Sequence, residues 1–149
     1  MSLHFFRWDQ RHLEEITAIE KASFTLPWSR ESFMEVISSG VFDSFAAMDA
    51  QKSIVGYVVF CEVLEELQVL NIAIHPDHRQ KGYGRLMLSH VHKHAYARGR
   101  RESFLEVRES NEAAIALYKE FGYQSYTRRP KYYSDTNEDA LLMKAILRP

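Results

Sequence analysis

The chain has 149 residues, 46% of them apolar and 26% charged, with a single cysteine and a formal charge of −1; this is the size and make-up of one globular domain able to bury a core. The near-neutral balance argues against a general nucleic-acid binder, no apolar run approaches the ~20 residues of a membrane-spanning helix, and the start Met1–Asp9 is too short and polar for a secretory signal. The lone Cys61 cannot close an internal disulfide, which fits a reducing cytoplasm.

In chain order, residues 3–8 read as a short strand, and Asp9 can cap a helix that repeats Leu13, Ile16 and Ile19 on one face. Phe24-Thr25-Leu26-Pro27-Trp28 breaks it. Ser29 can cap a second helix through Phe33, Val36 and Ile37, closed at Gly40. Two β-like runs, 42–48 and 54–63, flank the polar tetrad Asp49–Lys52 and read as a hairpin; a further run follows at 68–74. A helix is expected from Gly84 to its stop at Gly99, then a strand at 103–107. Ser110 or Asn111 can cap a last helix bearing Ala114, Leu117, Tyr118 and Phe121, and two final β-like runs lie at 123–129 and 140–146. This order predicts a single α+β domain over 1–149, built on a mostly antiparallel central sheet flanked by helices.

The most informative stretch runs from Asn71 to Gly84: an apolar β run, a proline, a basic segment and two glycines opening a helix. Unpaired N–H groups and the helix dipole suit a phosphate there, and Gly82 and Gly84 let a ligand reach the backbone. It is neither the nucleotide-binding Gly-x-x-x-x-Gly-Lys-Ser/Thr loop nor a Gly-x-Gly-x-x-Gly dinucleotide fingerprint. Arg79-x-x-Gly82-x-Gly84 after Asn71-Ile72-Ala73-Ile74-x-Pro76 resembles the acetyl-CoA pyrophosphate loop of the GCN5-related N-acetyltransferases (GNAT). An ordinary strand–loop–helix connection is the plain alternative.

Glu106 interrupts the apolar run Phe104-Leu105-Glu106-Val107, where a carboxylate is costly unless it meets water, a partner or a substrate. It could take a proton from an attacking amine, or stand on a solvated sheet face. Tyr118 could donate to a departing thiolate or be plain core. Asn111 could bind a cofactor arm or cap its helix.

The run from Leu105-Glu106-Val107-Arg108 through Ser110-Asn111 to Leu117-Tyr118 and Gly122-Tyr123, together with Pro27-Trp28-Ser29, Arg128-Arg129, Tyr132-Tyr133 and Glu138-Asp139-Ala140-x-x-Met143, resembles the ribosomal-protein-alanine branch of that family. The resemblance implies an acetyl-CoA co-substrate, Glu106 as proton acceptor and Tyr118 as proton donor, and no metal. It implies cofactor contacts from Ile72, Ala73, Ile74, Gln80, Lys81, Gly82, Tyr83, Gly84, Arg85 and Asn111. Arg79 and Arg85 could neighbour phosphates or stand as solvated charges. The acceptor would be the N-terminal peptide of a small-subunit ribosomal protein, with no membrane or direct nucleic-acid partner. Trp28, Tyr132 and Tyr133 would line its groove or simply pack loops on the sheet. The segment Arg128–Tyr132 carries one residue more than the pattern, and Ser134–Glu138 is shortened to match, which touches the acceptor loop rather than the chemistry. A small-amine or other protein acceptor, or a non-catalytic acyl-CoA-binding module, are the rival readings. His90, His92 and His94 share a helix, and a solvated face is expected of them in preference to a metal site.

Overall fold

The computed structural model describes residues 2–149. The elements are β1 (His4–Phe6), a 3-10 turn (Gln10–His12), α1 (Leu13–Ser23), α2 (Arg30–Ser38), β2 (Phe42–Met48), β3 (Ile54–Val63) and β4 (Glu66–Ile74). After a second 3-10 turn (Pro76–His78) come α3 (Tyr83–Ala97), β5 (Glu102–Arg108), α4 (Glu112–Glu120), β6 (Gln124–Tyr133) and β7 (Glu138–Ile146). Among the described residues seven strands and four α-helices make the expected α+β, mostly antiparallel fold. The chain divides into two compact units: residues up to Cys61 with Asn71–His90, and Glu62–Leu70 with Val91–Pro149.

In the first unit β1, β2 and β3 form an antiparallel meander, His4 opposite Met48 and Phe42 opposite Cys61. Asp9 accepts the Arg11 N–H and so caps the 3-10 turn rather than α1 itself, which starts at Leu13. Leu13, Ile16 and Ile19 then fall on one buried face of α1 against Phe33 and Val36 of α2 and Tyr57 and Val59 of β3. Each such side chain contributes about 1.5–3 kcal/mol by leaving water. Ser29 caps α2 as its sequence position suggests, its hydroxyl accepting the Ser32 N–H at 3.1 Å.

In the second unit β4 opens parallel to β5, pairing Glu66–Gln68 with Glu102–Phe104, and that register stops at Gln68 and Phe104. β7 lies antiparallel to β5, its residues 140–146 pairing with all of Glu102–Arg108, and β6 is antiparallel to β7. Two departures from the sequence reading matter. First, β6 does not end at Arg129 but runs to Tyr133, so the paired tyrosines stand on a strand and not on a loop. The extra length is absorbed by a bulge: Arg129 faces Ala140 and Tyr133 faces Glu138, four steps against two. Lys131, at φ 51, takes the turn-like conformation inside it, and its N–H donates to Asp139 Oδ1 at 3.0 Å. Second, His92 is buried rather than solvated and hydrogen-bonds Tyr123 at 2.7 Å.

Candidate active site

In the first unit the strand, loop and helix around residues 72–85 are assembled by backbone. Ala73 is buried, with Ile72 and Ile74 half-buried on either side. The β3 residue facing them is Gly56, where a Cβ would lie 2.7 Å from the Ala73 carbonyl oxygen and 2.6 Å from Ile74 Cδ1. Only glycine allows that approach. After Ile74, His75 donates its N–H to Val55 O at 2.8 Å and its ring caps the following turn by accepting the Asp77 N–H at 3.1 Å. Arg79 Nε donates to Ile74 O at 2.9 Å, tying the start of the loop back to the strand end. Gln80 and Gly82 take left-handed conformations, φ 63 and 79, around Lys81. Such alternation turns successive N–H groups toward one side, a concavity suited to anions, here at the start of α3. Gln80, Lys81, Gly82 and Arg85 are exposed, and Gly84 is half-buried. Tyr83 differs: its ring is buried, so it can offer a ligand only its backbone.

Trp28 also belongs to the first unit. Its backbone N–H donates to Glu20 Oε2 at 2.8 Å, and its ring meets Phe33 at 5.4 Å and lines a surface pocket with Ser32, Glu35, Val36 and Phe42.

The second unit brings side chains together. On β5, Ser103, Leu105 and Val107 are buried while Glu106 points to the opposite, open face; its side chain is 34% exposed. Strand alternation alone sets that direction. Arg129 of β6 reaches over so that its guanidinium lies 3.4 Å from Glu106 Oε1, while stacking at 5.4 Å over Tyr132. Tyr132 and Tyr133 meet edge to face at 5.1 Å. The Tyr133 phenol is pushed up first by burial and next by the Glu106 charge, with Arg108 opposing from 4.0 Å over its ring. Arg108 is itself fixed by Asp135 at 2.8 Å and Glu138 at 3.4 Å, so the turn after β6 holds Tyr133 in place. Tyr118 of α4 is buried and pushed up to about 12, by burial and then by Tyr133. The Glu106 charge thus acts on Tyr133, and Tyr133 in turn on Tyr118.

Asn111 sits at the start of α4 with its side-chain oxygen accepting the Ala114 N–H at 3.2 Å, the capping role. Its amide nitrogen is the group left to offer a ligand. Sequence reading did not single out Gly56, Glu20 or the pairing of Arg129 with Glu106. The one signal available was a lone acidic residue, Glu20, on the apolar side of α1.

Residues 13–123 match the family model described as Acetyltransferase (GNAT) family. The chain is 35% identical over 127 residues to the ribosomal protein bS18-alanine N-acetyltransferase of Escherichia coli strain K12, covering 84% of each chain. It resembles the crystal structure of the ribosomal-protein-S18-alanine N-acetyltransferase from Escherichia coli with a TM-score of 0.90 and 31% identity, over 99% of this chain and 96% of that one. The fold extends to NAA60 of Arabidopsis thaliana in complex with acetyl-CoA, at a TM-score of 0.87 and 20% identity over 98% and 99% of the two chains.

Proposed function

Because the chain belongs to the acetyltransferase (GNAT) family, we propose that it transfers the acetyl group of acetyl-CoA to the α-amine of an N-terminal alanine on a small-subunit ribosomal protein. The acceptor follows the activity named for the Escherichia coli relative. The observation that carries the chemistry is the open-faced Glu106 carboxylate, 3.4 Å from the Arg129 guanidinium and felt as a charge by Tyr133.

The steps follow from those groups. The acceptor ammonium gives its proton to Glu106, directly or through one water. The free amine attacks the thioester carbon, so that an N–C bond forms and the carbonyl oxygen gains charge. A backbone N–H of Ile72–Ile74 is suited to receive that charge. The C–S bond then breaks and the electron pair leaves on sulfur. Tyr118, held protonated by its raised pKa, faces this stage as a donor. Against a thiol near 8.5 a phenol at about 12 is a poor net acid, so Tyr118 serves chiefly by hydrogen-bonding the developing thiolate. As the C–S bond breaks, the new amide nitrogen loses its second proton, which passes to the sulfur through the Tyr118 hydroxyl, and the tyrosine ends protonated. The turn from Gln80 to Arg85 and the amide of Asn111 hold the diphosphate and the arm of CoA. Arg79 stands at the head of that turn.

An α-amine also suits a single carboxylate base. Its pKa near 7.7–8.0 makes deprotonation at neutral pH easier than for lysine, near 10.4, by roughly 3.5 kcal/mol. The test is thiol release from acetyl-CoA with a short alanine-starting ribosomal peptide, its N-blocked copy and a polyamine. Turnover with the free peptide alone is expected. Turnover with the polyamine and not the peptide moves the acceptor to a small amine, and acetyl-CoA binding without turnover on any amine leaves a binding module.

A further inference from the structure

Glu20 lies on α1 and takes no part in the steps above, yet the residue is 1% exposed. A buried carboxylate is costly unless hydrogen bonds satisfy it. Three donors do. Tyr57 of β3 gives its hydroxyl to Oε1, Asn71 Nδ2 gives to the same oxygen at 2.8 Å, and the Trp28 N–H gives to Oε2 at 2.8 Å. Burial and the Glu20 charge push the Tyr57 phenol far up, so it remains a donor. Rings continue the link by packing: Trp28 meets Phe33, and Phe33 meets Tyr57 edge to face at 5.7 Å.

The two oxygens serve different segments. Oε1 holds Asn71, the residue before Ile72–Ile74, and Oε2 holds the loop that brings Trp28 to the wall of its pocket. Any three donors would satisfy a purely structural glutamate. Here two of the three sit on segments that the proposed reaction gives to different substrates.

We propose that Glu20 is a positioning residue for both substrates, one oxygen setting the strand that meets acetyl-CoA and the other the Trp28 loop that meets the acceptor. This rests on the reading of Ile72–Ile74 and Trp28 given above. Glu20→Gln keeps the volume but leaves one carbonyl oxygen for three donors. That oxygen stays with the pair Tyr57 and Asn71, and the amide nitrogen then confronts the Trp28 N–H. Asn71→Asp sets a carboxylate against a carboxylate and disturbs the strand side instead. In the double variant the glutamine amide donates to Asp at 71, and its oxygen is free to accept from Trp28.

The experiment measures kcat and KM for acetyl-CoA and for the alanine-starting peptide in wild type, E20Q, N71D and E20Q/N71D, with hydrogen exchange at the Trp28 amide. E20Q is expected to raise the peptide KM by about tenfold and to speed Trp28 exchange, the size of one charge-assisted hydrogen bond lost, with the acetyl-CoA KM little changed. N71D is expected to lower kcat by about tenfold, and the double variant to recover part of both losses. Equal changes in both KM values, or losses that follow only the thermal midpoint, overturn the proposal. If E20Q does not fold, Tyr57→Phe replaces it: removing one Oε1 donor is expected to lower kcat and spare the peptide KM, and the reverse pattern overturns the proposal. Wild-type protein inert on the peptide but active on another amine overturns the acceptor assignment alone, and the same split is then read with that amine.

Discussion

The strand and glycine turn of the first unit and the carboxylate–tyrosine cluster of the second are built from different material. The first offers backbone: Ile72–Ile74 brought close to β3 by Gly56, and the left-handed turn at Gln80 and Gly82. Its side chains are mostly exposed or, like Tyr83, turned into the core. The second offers side chains from three elements, Glu106 on β5, Tyr118 on α4, and Arg129 and Tyr133 on β6. A backbone site tolerates exchange of side chains but not their addition at glycine. A side-chain site fails when one functional group is removed, whatever the backbone does. Substitutions can therefore tell the two regions apart.

The largest effect is expected at Glu106. Glu106→Gln keeps the shape and removes the base, so kcat/KM for the peptide should fall by about 10²–10⁴ while acetyl-CoA binding by calorimetry stays unchanged. A parallel loss of acetyl-CoA affinity would erase the distinction between the regions. Tyr118→Phe should cost less, because the phenol is the weaker contributor when the leaving group is a thiolate.

A pH dependence of stability comes next and belongs to the second unit. His92 is buried, hydrogen-bonded to Tyr123, which also meets Ser103 at 2.6 Å, and burial lowers its pKa from 6.5 to about 4. The folded protein therefore binds fewer protons than the unfolded chain between these values. Stability is complete above pH 6.5 and falls as the pH drops toward 4, by about 3 kcal/mol at 1.36 kcal/mol per pH unit. Urea unfolding at pH 7 and pH 4.5 reads this directly, and His92→Gln should flatten the difference.

The sequence carried the backbone region better than the side-chain region, for a physical reason. Caps, turns and glycines act within a few residues, so Ser29, the hairpin at Asp49–Lys52 and the turn at Gly82 were all visible in place. Contacts across strands depend on register, which no local pattern records. Arg129 meets Glu106 across 23 positions of sequence, and Tyr133 is brought near by a bulge that looked like a loop insertion. Glu20 and Asn71, 51 residues apart, could not be paired at all from spacing. The solvated face expected for His92 fails because what buries it comes from Phe121 and Tyr123, beyond α4, which no pattern within its own helix records.

A smaller effect tests how far the backbone region depends on glycine. Gly56→Ala places a methyl against the Ala73 carbonyl at 2.7 Å, so β3 or β4 must shift. A loss of about 1–3 kcal/mol is expected by chemical denaturation, of the kind overpacking produces. Acetyl-CoA affinity should fall with it, because the displaced atoms are those of the binding strand.

The smallest effect is the sharpest, since it separates strain from function. Gly82, at φ 79, has only Arg85 Nη1 near a would-be Cβ, at 3.9 Å, so Gly82→Ala is expected to cost about 1 kcal/mol through backbone conformation alone. Gly40, at φ 70 with nothing within 4 Å, carries the same strain away from the turn and serves as its control. Both alanine variants should lose similar stability. Only Gly82→Ala should weaken acetyl-CoA binding, because its methyl is added within the turn proposed to hold the diphosphate. Equal affinity in the two variants would mean that the turn contributes conformation but no direct contact, and the cofactor side of the comparison would then rest on Ile72–Ile74.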